Sequence, residues 1–255
     1  MGRLFSIITV TYNAGSVISP TLESVGRQSL DDYEYVVVDG ASGDDTLARV
    51  KASGISGLRV VSEPDRGLYD AMNKGLAMAR GEYLIFLNAG DAFADTDVLA
   101  RLARKAHEGD YDILYGQTQL VDAARRVIGP RHLVAPASLT ADSFKQGMLV
   151  CHQAFVARRS MAPQFDLRYR FSADYDWCIR CLLQSRGNGY VGAQPIIDFL
   201  VDTAGTTERN HKVSLKERFD IMCRYYGTVP TIARHLSFIP RYLGEKRRKK
   251  RLLEK

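Results

Sequence analysis

Apolar and polar positions follow two alternating periods through the first part of the chain. Phe5 to Thr11 (FSIITVT) and Tyr33 to Val38 (YEYVVV) are nearly continuous apolar runs, as expected of strands buried on both faces. Leu58 to Ser62 and Glu82 to Leu87 repeat the pattern. Between them lie helical spacings: Ser19 to Gln28 with Leu22 and Val25 facing inward, then Asp45 to Ala52. In the next, Leu68, Ala71, Met72, Gly75, Leu76 and Ala79 fall at i, i+3, i+4, i+7, i+8 and i+11, leaving Asp70, Asn73 and Lys74 off the apolar stripe. Strands alternating with helices predict an α/β fold, a mostly parallel sheet flanked by helices. Tyr111 to Tyr115 and Gln117 to Val121, broken at Gly116, read as further strands, as does QAFVAR after His152, and Arg125 to Leu133 extends the sheet.

The second half is more helical. Pro136 to Met148 mixes loop and helix, and Tyr175 to Leu183 is a helix that Ser172 can cap. Ser214-Leu215-Lys216-Glu217 has the form of a capping box, opening a helix that Gly227 and Pro230 end. Ile232, Leu236, Ile239 and Leu243 keep helical spacing, interrupted by Pro240.

Composition narrows the class. The 255 residues are 45% hydrophobic and 25% charged, enough for a sizeable core. No run of 18 apolar residues occurs, and the N-terminus enters a strand pattern directly, so the expected location is the cytoplasm. Cys151, Cys178, Cys181 and Cys223 are too scattered for a disulfide framework, and Cys178-x-x-Cys181 lacks a second ligand pair for zinc. The net charge of +6 is localised: Arg241 to Lys255 holds eight Lys and Arg and two Glu, so the remainder is formally neutral.

Each early strand ends in polar residues: Thr11-Tyr12-Asn13, Asp39, Glu63-Pro64-Asp65-Arg66, then Asn88 and Asp91. In a parallel sheet these ends share one edge, where α/β proteins bind ligands. A nucleic-acid or membrane binder acting through the basic tail is one alternative, although the neutral body offers no basic face. A sugar nucleotidylyltransferase is another, but it needs a Gly-rich phosphate loop, and Asn13-Ala14-Gly15 is too short.

The segments SIITVTYN, VVVDGASGDDT, SEPDRGLYDAMNKGLAMARGEYLIFLNAGD and SADYDWCIR, in this order from Phe5 to Arg180, resemble family 2 glycosyltransferases of the GT-A fold. The resemblance is strongest to the branch that builds bacterial exopolysaccharides such as colanic acid. It implies a nucleotide-sugar donor, a divalent metal and inversion at the anomeric carbon. Residues 1–212 would form the transferase domain, with 1–121 as the nucleotide-sugar half and 122–212 as the acceptor half. Residues 213–255 would be a helical extension with a basic tail.

The resemblance also assigns residues. Asp39 would read the base, which fits UDP or GDP equally, since a carboxylate accepts from uracil N3–H or guanine N1–H and N2–H. Thr11 and Tyr12 would flank the base, Tyr12 by stacking, with Asn13 beside them. Asp65 and Arg66 would lie along ribose and diphosphate, and Asp70 and Asn73 would line the donor site, although each also suits a solvated helix surface. In Asn88-Ala89-Gly90-Asp91, Asn88 and Gly90 stand where aspartates are frequent in the family. Asp91 is then left to hold Mg²⁺ or Mn²⁺ with diphosphate oxygens and water; its alternative is a turn residue, and His152 or His211 are the other assisting ligands considered. Asp174 matches the family's base, although Ala173 replaces a frequent glutamate, and Asp176 would pair with Arg180 at i+4. His152-Gln153 would lie on the acceptor side, or be a satisfied core histidine. The acceptor would be a saccharide, commonly lipid-linked, reached from the cytoplasmic face of the inner membrane through Arg241 to Lys255.

Overall fold

Residues 3–201 and 210–236 are described by the computed structural model. Strands β1 (Phe5–Thr11), β2 (Tyr33–Asp39), β3 (Leu58–Ser62) and β4 (Tyr83–Phe86) run parallel in the order β3-β2-β1-β4. Every residue of β1 and β2 is buried, which is why both read as continuous apolar runs. Helices α1 (Ile18–Gly26), α2 (Thr46–Ala52) and α3 (Leu68–Met78) are the crossovers. Close packing of α3 on the sheet depends on Gly75, where an added Cβ would come within 2.5 Å of Ile8 Cγ2. Register brings Thr11 beside Asp39 and Asp39 beside Ser62, and Leu87 N–H bonds Ile8 O at 2.9 Å. The polar ends of β1, β2, β3 and β4 therefore share one edge.

Beyond β4 the sheet becomes mixed. It continues through β8 (Phe155–Arg158), β6 (Ile113–Val121), β9 (Asn188–Leu200) and β5 (Ala92–Phe93), with β7 (Val127–Pro130) forming a hairpin on β6. The break expected at Gly116 is instead a register shift inside one strand. A Cβ there would meet Ile196 Cδ1 and Val191 Cγ2 at 2.9 Å, so β9 lies too close for a larger residue. The long β9 and helix α4 (Val98–Glu108) were not among the expected elements.

Helix α5 (Ala173–Gln184) is anchored by Trp177, which stacks on Phe165 at 5.0 Å and meets Phe86 and Phe155 edge-on at 5.7 Å. Helix α6 (His211–Tyr226) packs against it, and a short helix α7 at 228–236 follows. Two expected caps are not used as such. The helix at Ser214 starts at His211, so Ser214 is buried inside it and meets the Ser172 hydroxyl at 3.0 Å. Ser172 accordingly holds the N-cap position of α5 without a side-chain capping bond. Glu217, instead of closing a box, accepts from the backbone N–H of Arg170 at 2.8 Å and Phe171 at 2.9 Å. Gly227 does end α6, with φ of +86°. Ile239, Pro240, Leu243 and the basic run Arg241 to Lys255 lie outside the described residues.

Candidate active site

Two polar clusters occupy the shared strand edge. The first joins the ends of β1, β2 and β3. Asp39 is wholly buried and accepts from Ser42 N–H at 2.9 Å, Ser62 Oγ at 2.7 Å and the Ser42 hydroxyl. Asp39 thus organises the loop after β2 and has no exposed oxygen for a base, which departs from the direct reading role expected of it. Asn13, at φ +48°, is likewise part of the scaffold: its N–H bonds Ser42 Oγ at 2.8 Å and its Oδ1 accepts Gly43 N–H at 2.9 Å. Gly40, next in the chain, is buried beneath this loop. A Cβ there would fall 2.5 Å from Asp65 Oδ2 and 3.4 Å from the Tyr12 ring, so Asp65 and Tyr12, the latter 67% exposed, pack over its backbone.

Helix α3 borders this cluster. Asp70 bonds Arg66 N–H at 3.0 Å and pairs with its guanidinium at 2.9 Å, holding an otherwise exposed arginine beside Asp65. Asn73, expected to line the donor site, holds Phe165: its amide donates to Phe165 O at 3.0 Å and accepts from Phe165 N–H at 2.7 Å. It ties the segment ahead of α5 to α3.

The second cluster joins β4 to the later half of the chain. After β4, Gly90 adopts φ of +97°, donates to Thr21 Oγ1 at 2.9 Å and accepts from Arg125 at 2.8 Å. That backbone explains why glycine stands there. Ala89 packs on the core. Asp91 is buried, with Oδ2 accepting from the Gln153 amide at 2.7 Å and Oδ1 from Leu200 N–H at 3.0 Å. Burial pushes its carboxyl up to about 6 against these bonds and the charges of His152 and Arg125. Both carboxylate oxygens of Asp91 are thus engaged by protein donors.

Asp174 lies in the first turn of α5 and is also buried. Its Oδ1 accepts from Tyr69 Oη and Tyr175 N–H, both at 2.9 Å, and its Oδ2 faces His152 Nδ1 at 3.1 Å. Burial pushes this carboxyl up, but the hydrogen bond and charge of His152, the Arg218 charge and the Tyr69 hydroxyl outweigh it and hold the group at about 2. The second ring nitrogen of His152 lies 3.2 Å from Asn88 Nδ2. His152 therefore bridges Asp174 and Asn88 through its two ring nitrogens. Tyr69, Asp174, His152 and Asn88 thus form one chain, while Gln153, next to His152 in sequence, bonds Asp91 separately. Asp176, by contrast, is wholly buried, paired with Arg180 at 2.7 Å as expected, and bonded by Tyr225 Oη at 2.8 Å. Expected on the acceptor side with His152 and Gln153, it bonds across the α5–α6 interface.

Sequence reasoning overlooked Tyr69, Arg218 and the backbone of Leu200. The only sequence signal for Tyr69 was a tyrosine neighbouring the apolar stripe of α3, whose hydroxyl needs a partner when buried. Of the four buried side-chain oxygens without a hydrogen-bond partner among the described residues, Thr11 Oγ1 and Asn88 Oδ1 lie at this edge, and those of Thr118 and Thr231 lie elsewhere. The first two lie at the ends of the paired strands β1 and β4, which are one strand spacing of about 5 Å apart.

For a divalent cation the fit is narrow. Among the described residues no group of three or more His, Cys, Asp or Glu side chains could hold one. The uncommitted oxygen is Asn88 Oδ1, a hard neutral ligand with the charge of Asp91 nearby in sequence; diphosphate oxygens and water would have to complete the shell. The His211 side chain lies outside the described residues.

The model of the family described as Glycosyl transferase family 2 matches residues 6–164, which contain the whole donor edge and His152. The chain belongs to this family. The glycosyltransferase is 37% identical over 185 residues to the PGL/p-HBAD biosynthesis glycosyltransferase of Mycobacterium bovis, covering 70% of this chain and 69% of that one. It is 29% identical over 229 residues to the amylovoran biosynthesis glycosyltransferase AmsB of Erwinia amylovora, covering 82% and 74%. Its fold is that of S. aureus TarS 1-349, solved in complex with UDP, with a TM-score of 0.71 at 20% identity over 94% of this chain and 73% of that one. Mannosyltransferase PcManGT from Pyrobaculum calidifontis, in complex with GDP-Man and Mn²⁺, gives a TM-score of 0.62 at 16% identity, covering 93% and 75%. Neither alternative class, nucleic-acid binder or nucleotidylyltransferase, finds support in these matches.

Proposed function

We propose that the glycosyltransferase moves a sugar from a nucleoside-diphosphate donor to a hydroxyl of a saccharide acceptor, inverting the anomeric carbon, in surface polysaccharide or glycolipid assembly. The observation that carries this reading is the chain Tyr69–Asp174–His152–Asn88, which joins a buried carboxylate on the later half to the donor edge of the sheet. The relatives named for PGL/p-HBAD and amylovoran biosynthesis support the product class.

In this reading the base lies against the exposed Tyr12, and Asp65 accepts from ribose or base while Asp39 holds the loop beneath. Arg66, presented by Asp70, contacts a phosphate oxygen. The acceptor oxygen attacks the anomeric carbon as the bond to the diphosphate oxygen breaks, and that electron pair leaves with the diphosphate. Asp174 takes the hydroxyl proton, with Tyr69 and His152 fixing its two oxygens. A Mg²⁺ or Mn²⁺ ion at Asn88, with Asp91 behind it, would neutralise charge on the leaving diphosphate. Residues 1–121 serve the donor and 122–212 the acceptor. The acceptor is lipid-linked, and the enzyme works in the cytoplasm at the inner face of the membrane. No helix among the described residues is long and apolar enough to cross a membrane.

A thermal-shift screen of nucleoside diphosphates with and without Mn²⁺ tests the reading. One nucleotide should stabilise the protein, by about 2.7 kcal/mol at a hundredfold excess over Kd. No stabilisation by any nucleotide, with or without metal, would overturn it.

A further inference from the structure

Helix α7 turns an apolar face away from the molecule. It packs inward through the buried Thr231 and through His235, whose ring meets Phe219 edge-on at 5.1 Å. Positions 229, 232 and 236 fall at i, i+3 and i+7, so Val229, Ile232 and Leu236 share one face, and they are 78%, 46% and 62% exposed. In the sequence Ile239 and Leu243 continue the spacing at i+10 and i+14.

What would cover this stripe follows from the charge beside it. Five residues after Leu236 begins the segment Arg241 to Lys255, which carries eight Lys and Arg against two Glu, while the remaining chain is neutral. Apolar side chains next to a cation cluster complement an anionic bilayer, with the stripe at the acyl boundary and the cations among the headgroups. A second copy fits less well, because Pro240 interrupts the helical spacing and two such tails would repel each other. We propose that the Val229, Ile232 and Leu236 face of α7, together with the basic segment, docks the protein on an anionic lipid surface. This rests on the functional reading only for its purpose, which is to bring the site to a lipid-linked acceptor.

The test is flotation of the full chain with vesicles of phosphatidylcholine alone or mixed with phosphatidylglycerol. The wild type should float with the anionic vesicles only, and added salt should release it. Ile232→Ser with Leu236→Ser should lower partition about tenfold or more, and each cation from Lys246 to Arg251 changed to Gln should lower it about fivefold. Equal partition of wild type and variants would overturn the proposal. So would absence of wild-type binding, or a concentration-dependent dimer abolished by Ile232→Ser in light scattering. Nucleotide thermal shifts measured on the same samples separate the two readings: their retention in a protein that does not float sinks the docking alone, and their absence in a protein that floats sinks the transferase reading alone.

Discussion

At the scale of single residues, the two buried aspartates have opposite electrostatics. Asp174 is surrounded by donors and stays ionised through the neutral range. Asp174→Asn should lower kcat by about 10² to 10⁴ while nucleotide thermal shifts persist; near-normal turnover would remove the assignment. Asp91 has the reverse linkage. Its folded-state value of about 6 lies above the ordinary 3.8, so folding favours its neutral form, and its ionisation draws down stability as pH rises from about 4 through 6. The two-unit gap corresponds to about 3 kcal/mol. Asp91→Asn should therefore gain stability relative to wild type between pH 4.5 and pH 7, measured by urea unfolding at both values. A difference independent of pH would contradict this. These environments were only partly legible in the sequence. The position of Asp174 at a helix start could be read, but its donors Tyr69 and His152 come from α3 and from the approach to β8 and meet only through the fold.

Among the elements, legibility followed the pattern of burial. Strands β1 and β2, covered on both faces, spelled themselves as apolar runs, and α3 showed its stripe. Strand β9 was hidden because Gly189, Gly192 and Pro195 punctuate it like a loop, while its pairing with β6 needs that close approach. Helix α4 was readable in principle, with Val98, Leu99, Leu102 and Ala103 buried on one side. The loop after β2 provides a test at this scale. Gly40→Ala should push Asp65 or Tyr12 aside and weaken nucleotide binding about tenfold or more, the scale of 1–3 kcal/mol for overpacking. Its melting temperature without ligand should change little, because Asp65 sits at a loop surface; unchanged nucleotide affinity would show that the base lies elsewhere.

Across the whole molecule, the later half is fastened to the donor edge by side chains as well as by the sheet. Asn73 grips Phe165, Tyr69 grips Asp174, and Glu217 of α6 holds the backbone at Arg170 and Phe171 just ahead of α5. Glu217→Ala should release two N–H groups at the entry to α5, costing about 1–3 kcal/mol, and should lower kcat more than it lowers nucleotide affinity. An equal loss in both, in steady-state kinetics and calorimetry, would mean that α6 acts on the fold as a whole. The mostly parallel α/β architecture was legible because alternation of periods is written locally. The α5–α6 contact was not, since Ser214 and Glu217 look like a local cap and are spent on a distant turn.

The solitary oxygens of Thr11 and Asn88 carry an evolutionary consequence. Each is kept dry without a donor, at roughly 1–3 kcal/mol, so Thr11→Val, matching in shape, should raise the melting temperature. If a substrate answers those oxygens, the hardier variant is also the poorer catalyst. Adaptation to heat and adaptation to turnover would then pull in opposite directions on the same two strand ends.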